Sequence, residues 1–392
     1  MSSSLKSDEK KANGRRLLYV VTEDWFFVSH FIGFARAAQR DGFAVGLVTR
    51  LGKHRAVLEA EGFELFPLEG GRGSVAPGAA LQEVAAIRAA MAAFSPDIVH
   101  LIALRPVLLG ALAAVGRRDV ALVLAPTGLG YLWASQSGKA RLLRQVVRFT
   151  MRAILRRPKL ALLFENRDDA AEFGLTIDDP RLTLLGGAGV DGDAFPARPD
   201  PGGSPVRFGL VARMLRSKGG PLAIEAIRRA RTGGADVQLD LFGATDPANA
   251  DSMTESELHA ASSEPGIVWH GRVDDLSSVW RDVHVALLPT SYREGLPRAL
   301  LEAAASGRPI ITTDSPGCRE IALDGRTGIL VPSGDVAATA IAITRLAADA
   351  ALRQMMGVAS RAHFETRFTA QIVERDVVRA YRSLLQEQSA DG

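Results

Sequence analysis

The sequence contains almost no cysteine: Cys318 is the only one among 392 residues. One cysteine excludes an intramolecular disulfide framework and a metal site built from several thiolates, and it favours a reducing compartment. No other group of residues in the chain has metal-ligand spacing, so we expect no obligatory metal.

A long apolar run is also missing, because no stretch reaches the ~18 residues that a membrane-spanning helix needs. Residues 1–14 are polar and place acids ahead of a basic cluster, which predicts a disordered leader rather than a signal peptide. The net charge is only +3, and no basic patch is interleaved with aromatic residues, which argues against a nucleic-acid partner. These absences predict a cytoplasmic protein without an integral membrane segment.

The glycine-rich fingerprint G-x-G-x-x-G does not follow the first predicted strand. That position reads TEDWFF, with a pair of carboxylates in place of glycines. Because those glycines let the backbone approach a dinucleotide pyrophosphate, their absence argues against a nicotinamide-dependent dehydrogenase.

Short apolar runs do alternate with alanine- and leucine-rich helical stretches, which is typical of a doubly wound parallel sheet. The chain is too long for one hydrophobic core, and residues 191–205, with four prolines and three glycines, separate two domains. We predict an N-terminal domain over 15–190, a C-terminal domain over 206–368 and a final helix within 369–392. The predicted strands are 16–22, 44–49, 63–68, 97–102, 120–125, 160–164, 182–185, 206–211, 237–242, 267–269, 283–288, 309–313 and 328–331.

Two glutamates, Glu294 and Glu302, flank the start of a helix-forming run in EGLPRALLE. The first carboxylate is expected just ahead of the helix and the second a little over two turns along it. Together they can hold two ends of an elongated ligand, while the N–H groups of Leu296 and Arg298 suit an anion. A nucleotide diphosphate-sugar has that shape and charge. The alternative is an ordinary amphipathic helix with exposed acids.

Two cations, Arg213 and Lys218, follow the apolar run 206–211 near a loop-to-helix junction. Such a pair can neutralise a diphosphate as it leaves, although solvated surface charges would look the same. The strand, loop, helix and next strand around Glu294 follow at α/β spacing, so we expect both sets of charges at the carboxyl ends of parallel strands.

The stretch SYREGLPRALLEAAASGRPIITTDSPGCREI, with VRFGLVARMLRSKGG upstream, resembles the retaining glycosyltransferases of family 4, and the resemblance covers the chain from about Arg15 to the C-terminal helix. With VVTEDWFFVSH and TGLGYL it looks most like the subgroup acting on polyprenyl-diphosphate-linked saccharides, such as bacillosaminyl-diphospho-undecaprenol N-acetylgalactosaminyltransferases. This resemblance implies the GT-B fold: two Rossmann-like, doubly wound α/β domains facing a central cleft. It also implies that the last helix crosses back onto the N-terminal domain.

The same resemblance implies roles for individual residues and a UDP-sugar as the donor, with no obligatory cofactor. Whether retention arises by front-face attack or through a covalent intermediate stays open. The implied contacts are Glu294 with the donor sugar hydroxyls, Glu302 with the ribose, Arg213 and Lys218 with the diphosphate, the backbone of Gly295, Leu296 and Pro297 with phosphate and sugar, and Arg272 with the base.

Candidates for acceptor binding lie in the N-terminal half. Aromatic residues 25–27 are expected in a loop after the first strand, with Ser29 as a helix cap and His30 just inside the helix; they can contact lipid or sugar, or only pack. His100 is expected at the carboxyl end of a strand and at the cleft rim, or else as a hydrogen-bonded structural histidine. Thr127 and Gly128 open a turn that either admits ligand closely or is a plain tight turn.

Residues 139–159 hold eight basic residues and no acid, with arginines at every fourth position from Arg144 to Arg156. This pattern predicts an amphipathic basic helix over 139–157. It can lie on an anionic membrane surface, with its apolar face inserted or packed on the domain; an ordinary domain helix is the alternative. The residues of the expected apolar face are Leu142, Leu143, Val146, Val147, Met151, Ile154 and Leu155.

The function predicted from these features is a retaining transfer of a hexose or N-acetylhexosamine from a UDP-sugar to a lipid-linked saccharide. The protein would be peripheral on the inner face of the cytoplasmic membrane. Two alternatives stay open: a UDP-sugar epimerase on the same fold, and a non-catalytic scaffold that binds sugar nucleotides.

Overall fold

The computed structural model describes residues 14–69, 77–134 and 137–390, so the predicted leader lies outside it except for Gly14. The chain forms two compact units. The first contains the residues up to Leu129, Ser137–Ala188 and the residues from Val373 onward, and the second contains Gly189–Ile372 together with the segment that begins at Gly130.

The first unit is built on a seven-stranded parallel sheet with the order β3-β2-β1-β4-β5-β6-β7. Strands β4, β5 and β6 are buried along their whole length, as expected for central parallel strands that are covered on both faces. Its strands are β1 (Arg15–Glu23), β2 (Phe43–Arg50), β3 (Glu64–Pro67), β4 (Ile98–Ile102), β5 (Ala121–Ala125), β6 (Leu160–Phe164) and β7 (Leu182–Leu184).

Helices connect these strands, and one short helix from this part of the chain, α6, groups with the second unit instead. The helices are α1 (Asp24–His30), α2 (Ile32–Arg40), α3 (Arg55–Ala60), α4 (Pro77–Phe94), α5 (Leu104–Ala113), α6 (Gly130–Ala134), α7 (Gly138–Ile154) and α8 (Arg167–Ala171).

The second unit is built on a six-stranded parallel sheet with the order β10-β9-β8-β11-β12-β13. Its strands are β8 (Val206–Val211), β9 (Val237–Phe242), β10 (Ile267–Gly271), β11 (Val285–Leu288), β12 (Ile310–Thr313) and β13 (Gly328–Val331). The remaining helices are α9 (Gly220–Thr232), α10 (Glu255–Ser262), α11 (Leu276–Asp282), α12 (Arg298–Ala305), α13 (Cys318–Ile321), α14 (Val336–Ala348), α15 (Ala350–Arg367) and α16 (Ala370–Ala390).

Each of the thirteen predicted strands is present within two residues of its expected bounds. The prediction for residues 24–30 is wrong, because they form helix α1 rather than a loop with a cap at Ser29. Inside that helix the Ser29 hydroxyl donates to the Trp25 carbonyl at 2.7 Å, and His30 is the last residue. The helix begins without a side-chain cap at Glu23, so the usual start signal is missing from the sequence.

The last helix, α16, packs on the first unit from Val373 onward. Val377, Tyr381 and Leu384 lie in the same hydrophobic core as Leu17 and the other inward residues of the first sheet. Arg40 donates to Glu374 at 2.6 Å and adds a surface ion pair. The apolar contacts stabilise this docking more than the exposed pair does.

His100 is not at a rim: it lies within β4, fully buried, and its Nδ1 is 2.7 Å from the hydroxyl of Tyr381. That hydroxyl is also 2.9 Å from the hydroxyl of Tyr19. Burial lowers the pKa of His100 to about 3, so the ring stays neutral in the folded protein. The prediction that His100 faces substrate at a cleft rim is wrong, and the structural alternative is confirmed.

We expect His100 to make the stability of the protein depend on pH. An unfolded histidine takes up a proton near its ordinary pKa of 6.5, whereas the folded one stays neutral down to about pH 3. Between those values the unfolded chain binds more protons, so the free energy of unfolding falls as the pH falls. In His100→Gln this slope should be shallower by about 1.4 kcal/mol per pH unit at most. Urea unfolding at several pH values checks this, and identical slopes in both proteins would contradict it.

No helix in the described parts of the chain is both long enough and apolar enough to cross a membrane.

Candidate functional site

The second unit places a compact set of charged residues beyond the carboxyl ends of β8 and β11. After β8 the chain makes a 3₁₀ turn over Arg216–Lys218 and enters α9 through Gly219. Gly219 has a φ of 90°, and a Cβ there would lie 2.3 Å from the carbonyl oxygen of Pro289. Only glycine allows this approach, which brings Lys218 next to the loop that follows β11.

Lys218 and Glu294, predicted as separate site residues, form an ion pair. The Lys218 ammonium donates to Glu294 Oε1, and it also lies 5.2 Å from the centre of the Tyr292 ring. The lysine side chain is 19% exposed and the glutamate side chain 11%, so both are shielded yet reachable. A shielded lysine and carboxylate provide opposite charges within one small volume, which suits a ligand with both anionic and hydroxyl groups.

A backbone carbonyl, that of Ser217, joins the two loops that carry this pair. It accepts hydrogen bonds from Thr290 Oγ1 at 3.0 Å, from the Ser291 amide at 2.8 Å and from the Tyr292 amide at 3.2 Å. The Ser217 amide and hydroxyl both donate to Asp251 Oδ2. Sequence reasoning missed these residues, because a carbonyl acceptor carries no side-chain signal.

The loop carrying Glu294 is also fixed from the side of β12. Gly317 has a φ of 77°, and a Cβ on it would lie 1.7 Å from the carbonyl oxygen of Gly295. The backbone of Gly295, a predicted phosphate and sugar contact, is therefore packed directly against the turn that precedes α13. Pro297 then takes the N-cap position of α12 in an extended conformation.

Glu302 lies in the second turn of α12, because the helix begins only at Arg298. The expected distance of more than two turns along the helix is therefore wrong. The residue is 2% exposed, and its Oε1 accepts from Arg298 Nε at 2.9 Å. Burial raises the pKa of the Glu302 carboxyl, opposed by the charge of Arg298 and by hydrogen bonds. The alternative of an ordinary amphipathic helix with exposed acids is wrong for this position, because Glu302 is buried.

The remaining predicted donor-site residues are more exposed. Arg213 donates to Asp246 Oδ2 at 2.8 Å and its side chain is 55% exposed. Arg272 follows β10 directly, pairs with Asp274 at 3.1 Å and is 74% exposed. These two arginines are not joined to the Lys218 pair by any described hydrogen bond, and their roles toward a ligand stay predictions.

Cys318 directly follows Gly317, whose backbone packs against Gly295 of the loop that carries Glu294. The thiol is fully buried, and burial raises its pKa to about 11. A thiol in this state is protonated at neutral pH and is a poor nucleophile. Among the described residues, no group of three or more histidine, cysteine or acidic side chains is placed to hold a metal ion.

At the carboxyl edge of the first sheet, the structure shows a charged network that sequence reasoning missed. Arg50 of β2 donates to Glu23 at 2.8 Å, and Arg105 donates to the buried Glu83 at 2.9 Å. Arg50 also lies 3.8 Å from Glu83. The only signal was the pair of acids in TEDWFF; the second acid, Asp24, accepts from the Gly52 amide at 2.7 Å.

Thr127 and Gly128 form a turn after β5 in which both residues have positive φ, 41° and 81°. A threonine in this region is unusual and is held there by its surroundings. His30 ends α1, where its ring nitrogen lies 2.7 Å from the Ser29 hydroxyl and its ring is 4.8 Å from that of Phe26. Contacts of these residues with a substrate stay predictions.

The predicted basic helix is α7, and it divides its apolar residues between two faces. Val147 and Met151 are buried in the unit. Arg148 is paired with Glu172 at 2.5 Å. Four apolar side chains are left exposed: Leu142 (64%), Leu143 (51%), Val146 (52%) and Phe149 (76%). The helix therefore packs with one face and presents a second apolar face outward, beside arginines.

Two family models match the chain, one on each half. The model described as Glycosyl transferases group 1 matches residues 205–349, and the model described as Glycosyl transferase 4-like matches residues 16–156. The first match includes the Lys218–Glu294 pair and α12. Residues 205–349 and 16–156 are therefore similar to these two glycosyltransferase families.

Curated relatives agree with these family matches. The chain is 31% identical over 180 residues to the capsular polysaccharide biosynthesis glycosyltransferase CapM of Staphylococcus aureus, covering 46% of this chain and 47% of that protein. It is 30% identical over 207 residues to a phosphatidyl-myo-inositol mannosyltransferase of Mycobacterium leprae, covering 50% and 52%. The chain thus spans about half the length of these relatives.

The structure of Anabaena HepE in complex with UDP matches with a TM-score of 0.75 at 17% identity, covering 94% of this chain and all of that one. A likeness at this identity shows the fold. The predicted GT-B fold of two parallel-sheet α/β domains is confirmed.

Proposed function

We propose that this chain, whose residues 16–156 and 205–349 match two glycosyltransferase family models, is a retaining hexosyl- or N-acetylhexosaminyltransferase that uses a UDP-sugar. The observation that carries the proposal is the shielded Lys218–Glu294 pair, in a loop that leads directly into α12, the helix that contains the buried Glu302. CapM is a capsular polysaccharide biosynthesis glycosyltransferase, which supports the reaction class, and HepE was solved in complex with UDP, which supports the donor.

The charges fit the electron flow of such a transfer. The bond between the anomeric carbon and the β-phosphate oxygen breaks, and its electron pair leaves with UDP. The acceptor oxygen bonds to the anomeric carbon and releases its proton. Front-face attack and a covalent intermediate have this same overall balance, so the proposal does not depend on which occurs.

Lys218, assisted by Arg213, is assigned to the negative charge that grows on the leaving diphosphate. Glu294 is assigned to the sugar, because a carboxylate accepts from two hydroxyls and stabilises positive charge at the anomeric centre. Glu302 is assigned to the ribose hydroxyls, which would reach it at the 3% of its side chain that is exposed.

We assign the acceptor to the first unit and propose that it is a saccharide linked to a polyprenyl diphosphate at a membrane surface. Helix α7 supports this assignment, because its exposed apolar face adjoins exposed arginines. Each cation near an anionic surface adds about 1 kcal/mol of attraction. The mycobacterial relative is named as a phosphatidyl-myo-inositol mannosyltransferase, and the phospholipid in that name agrees with a lipid-linked acceptor.

The function is tested by UDP release from the purified chain across a panel of UDP-sugars, with and without a short polyprenyl-diphosphate-linked saccharide. We expect release that requires the acceptor and favours one donor. Turnover without acceptor would support an epimerase or hydrolase instead. UDP binding without turnover for any donor and acceptor would support a scaffold. Anomeric configuration of the product, measured by NMR, checks retention.

The membrane assignment predicts two different salt dependences. Val146→Gln with Phe149→Gln should weaken binding to phosphatidylglycerol vesicles at both low and high salt, because apolar burial is not screened. Arg141→Gln with Arg152→Gln should weaken it mainly at low salt. We choose these arginines because Arg148 is engaged by Glu172. Vesicle sedimentation measures both.

A matched control is available on α14 in the second unit, where Ile341 is 70% exposed and Arg345 is also exposed. Ile341→Gln with Arg345→Gln removes one apolar side chain and one charge without touching α7. Vesicle binding that is equally reduced by the control, or unchanged by both α7 variants, would refute a membrane role for this helix.

A further inference from the structure

A groove in the first unit lies between α5 and α7 and has a volume of about 640 Å³. Leu108, Leu112 and Val115 line it from α5 and the turn that follows, and Ala153 and Ile154 line it from α7. This volume is within the range of small-molecule sites, roughly 300–1,000 Å³. None of the residues proposed for catalysis takes part in it.

The groove leaves large apolar side chains open to water. Leu112 is 51% exposed and Val115 is 59% exposed, at positions near the end of α5 that could have carried polar residues. Exposed apolar surface of this kind is unfavourable by about 25 cal/mol for each Å². Contiguous patches of it mark binding surfaces.

Three arginines contribute to the lining of the groove. Arg157 donates to the carbonyl oxygens of Ala114 at 3.2 Å and Val120 at 2.8 Å, so its guanidinium holds the wall in place. Arg118 and Arg156 line the groove as well and are exposed. Among the ion pairs of the described residues, neither arginine is matched by a carboxylate. The site therefore combines an apolar channel with two positive charges in its lining.

The groove also continues the exposed apolar face of α7. Val146, Thr150 and Ala153 follow one another at i, i+4 and i+7, which places them on one side of the helix. Val146 belongs to the outward apolar face, while Thr150 and Ala153 line the groove. The stripe gives an aliphatic chain a row of uncharged side chains along α7.

We propose that the groove binds one aliphatic chain of an anionic membrane lipid and that Arg118 and Arg156 hold its phosphate. The aliphatic chain of the lipid would cover the exposed leucine, valine and isoleucine side chains, and its phosphate would neutralise the two arginines. The inference rests on the proposed orientation of α7 at a membrane, and it goes beyond that proposal because it assigns a site for an individual lipid.

The proposal is tested with the full chain and vesicles that contain phosphatidylglycerol carrying a photoactivatable diazirine in its acyl chain. After irradiation, labelled peptides are mapped. We expect labels in residues 108–116 and 150–158. Ala153→Trp fills the groove with a bulky side chain, and it should lower the labelling of residues 108–116 at least about fivefold. Vesicle binding should hardly change, because Leu142, Val146 and Phe149 are intact; Ile341→Trp is the control.

Several outcomes would overturn the proposal. Labels confined to residues 142–149 would mean that α7 lies on the surface and the groove stays without a lipid chain. Equal labelling of the wild type and Ala153→Trp would show that the lipid chain does not occupy the groove. Equal labelling by phosphatidylcholine and phosphatidylglycerol would show that the arginines do not select an anionic lipid. Labelling of residues 108–116 by a monomeric dioctanoyl phosphatidylglycerol analogue would support the groove even if the proposed membrane binding or sugar transfer fails, because this labelling requires neither vesicle binding nor turnover.

Discussion

Glu294→Gln should lower kcat by about 10²- to 10³-fold while leaving the affinity for UDP nearly unchanged. Glutamine keeps the shape of the side chain but removes the charge that faces the Lys218 ammonium. Without that charge the site loses its stabilisation of a positive anomeric centre, which exists only in the transition state. UDP lacks the transferred sugar, so the affinity for UDP should not change with the loss of this stabilisation. Steady-state kinetics and calorimetric titration with UDP measure the two quantities separately.

Glu302→Gln is the matched comparison and should behave in the opposite way. A hydrogen bond from a ribose hydroxyl to a charged carboxylate contributes about 1.5–3 kcal/mol, so UDP should bind roughly 10- to 100-fold more weakly. The value of kcat at saturating donor should change less. Because Glu302 is buried against Arg298, unfolding must be measured in the same variant. An equal loss of UDP affinity in both variants would contradict the assignment of Glu294 to the transferred sugar and of Glu302 to the ribose.

The strands could be predicted from the sequence because parallel strands that are covered on both faces need continuous apolar runs. LALLF is β6 without a residue added or removed, and ALVLA of β5 is buried throughout. The same property hides the environment of a polar residue inside such a run. His100 is a polar residue within the apolar run of β4. The hydrophobic periodicity of the sequence could not show that its hydrogen-bond partner is Tyr381, 281 positions away.

Helix α1 could not be predicted because its start has no side-chain cap, and its content of three consecutive aromatic residues favours strand or loop as much as helix. The outward face of α7 could be predicted only in part. Periodicity showed that the helix is amphipathic, but packing decides that Val147 is buried while Val146 is exposed. Phe149, the most exposed of these apolar residues, lies outside the apolar face that periodicity predicts.

The donor site shows a similar division between side chains and backbone. Lys218, Glu294 and Glu302 could be proposed because charged residues at loop-to-helix junctions are visible in a sequence. The backbone contacts that hold the loops of Lys218 and Glu294 in place could not, because they are made by the Ser217 carbonyl and by two glycines with positive φ. A glycine in a loop is too common to indicate which one approaches another backbone so closely that a Cβ would lie 1.7 Å from it.

Gly317→Ala should therefore be among the most damaging small substitutions in the chain. Alanine at a φ of 77° is strained by roughly 1–2 kcal/mol, and its Cβ would also overlap the Gly295 carbonyl oxygen at 1.7 Å. Relief of that overlap requires a shift of backbone, which adds about 1–3 kcal/mol. We expect a loss of about 2–5 kcal/mol in the free energy of unfolding, together with reduced turnover, because the Gly295 backbone adjoins Glu294.

Gly325 provides the control, since it has a nearly identical φ of 69° but no atom lies within 4 Å of the position that a Cβ would take. Gly325→Ala should show only the conformational strain, about 1–2 kcal/mol, with unchanged kcat. The difference between the two variants then isolates the close approach of the two loops from the preference of glycine for positive φ. Equal losses of stability and equal activity in both would mean that the turn before α13 does not hold the Glu294 loop in place.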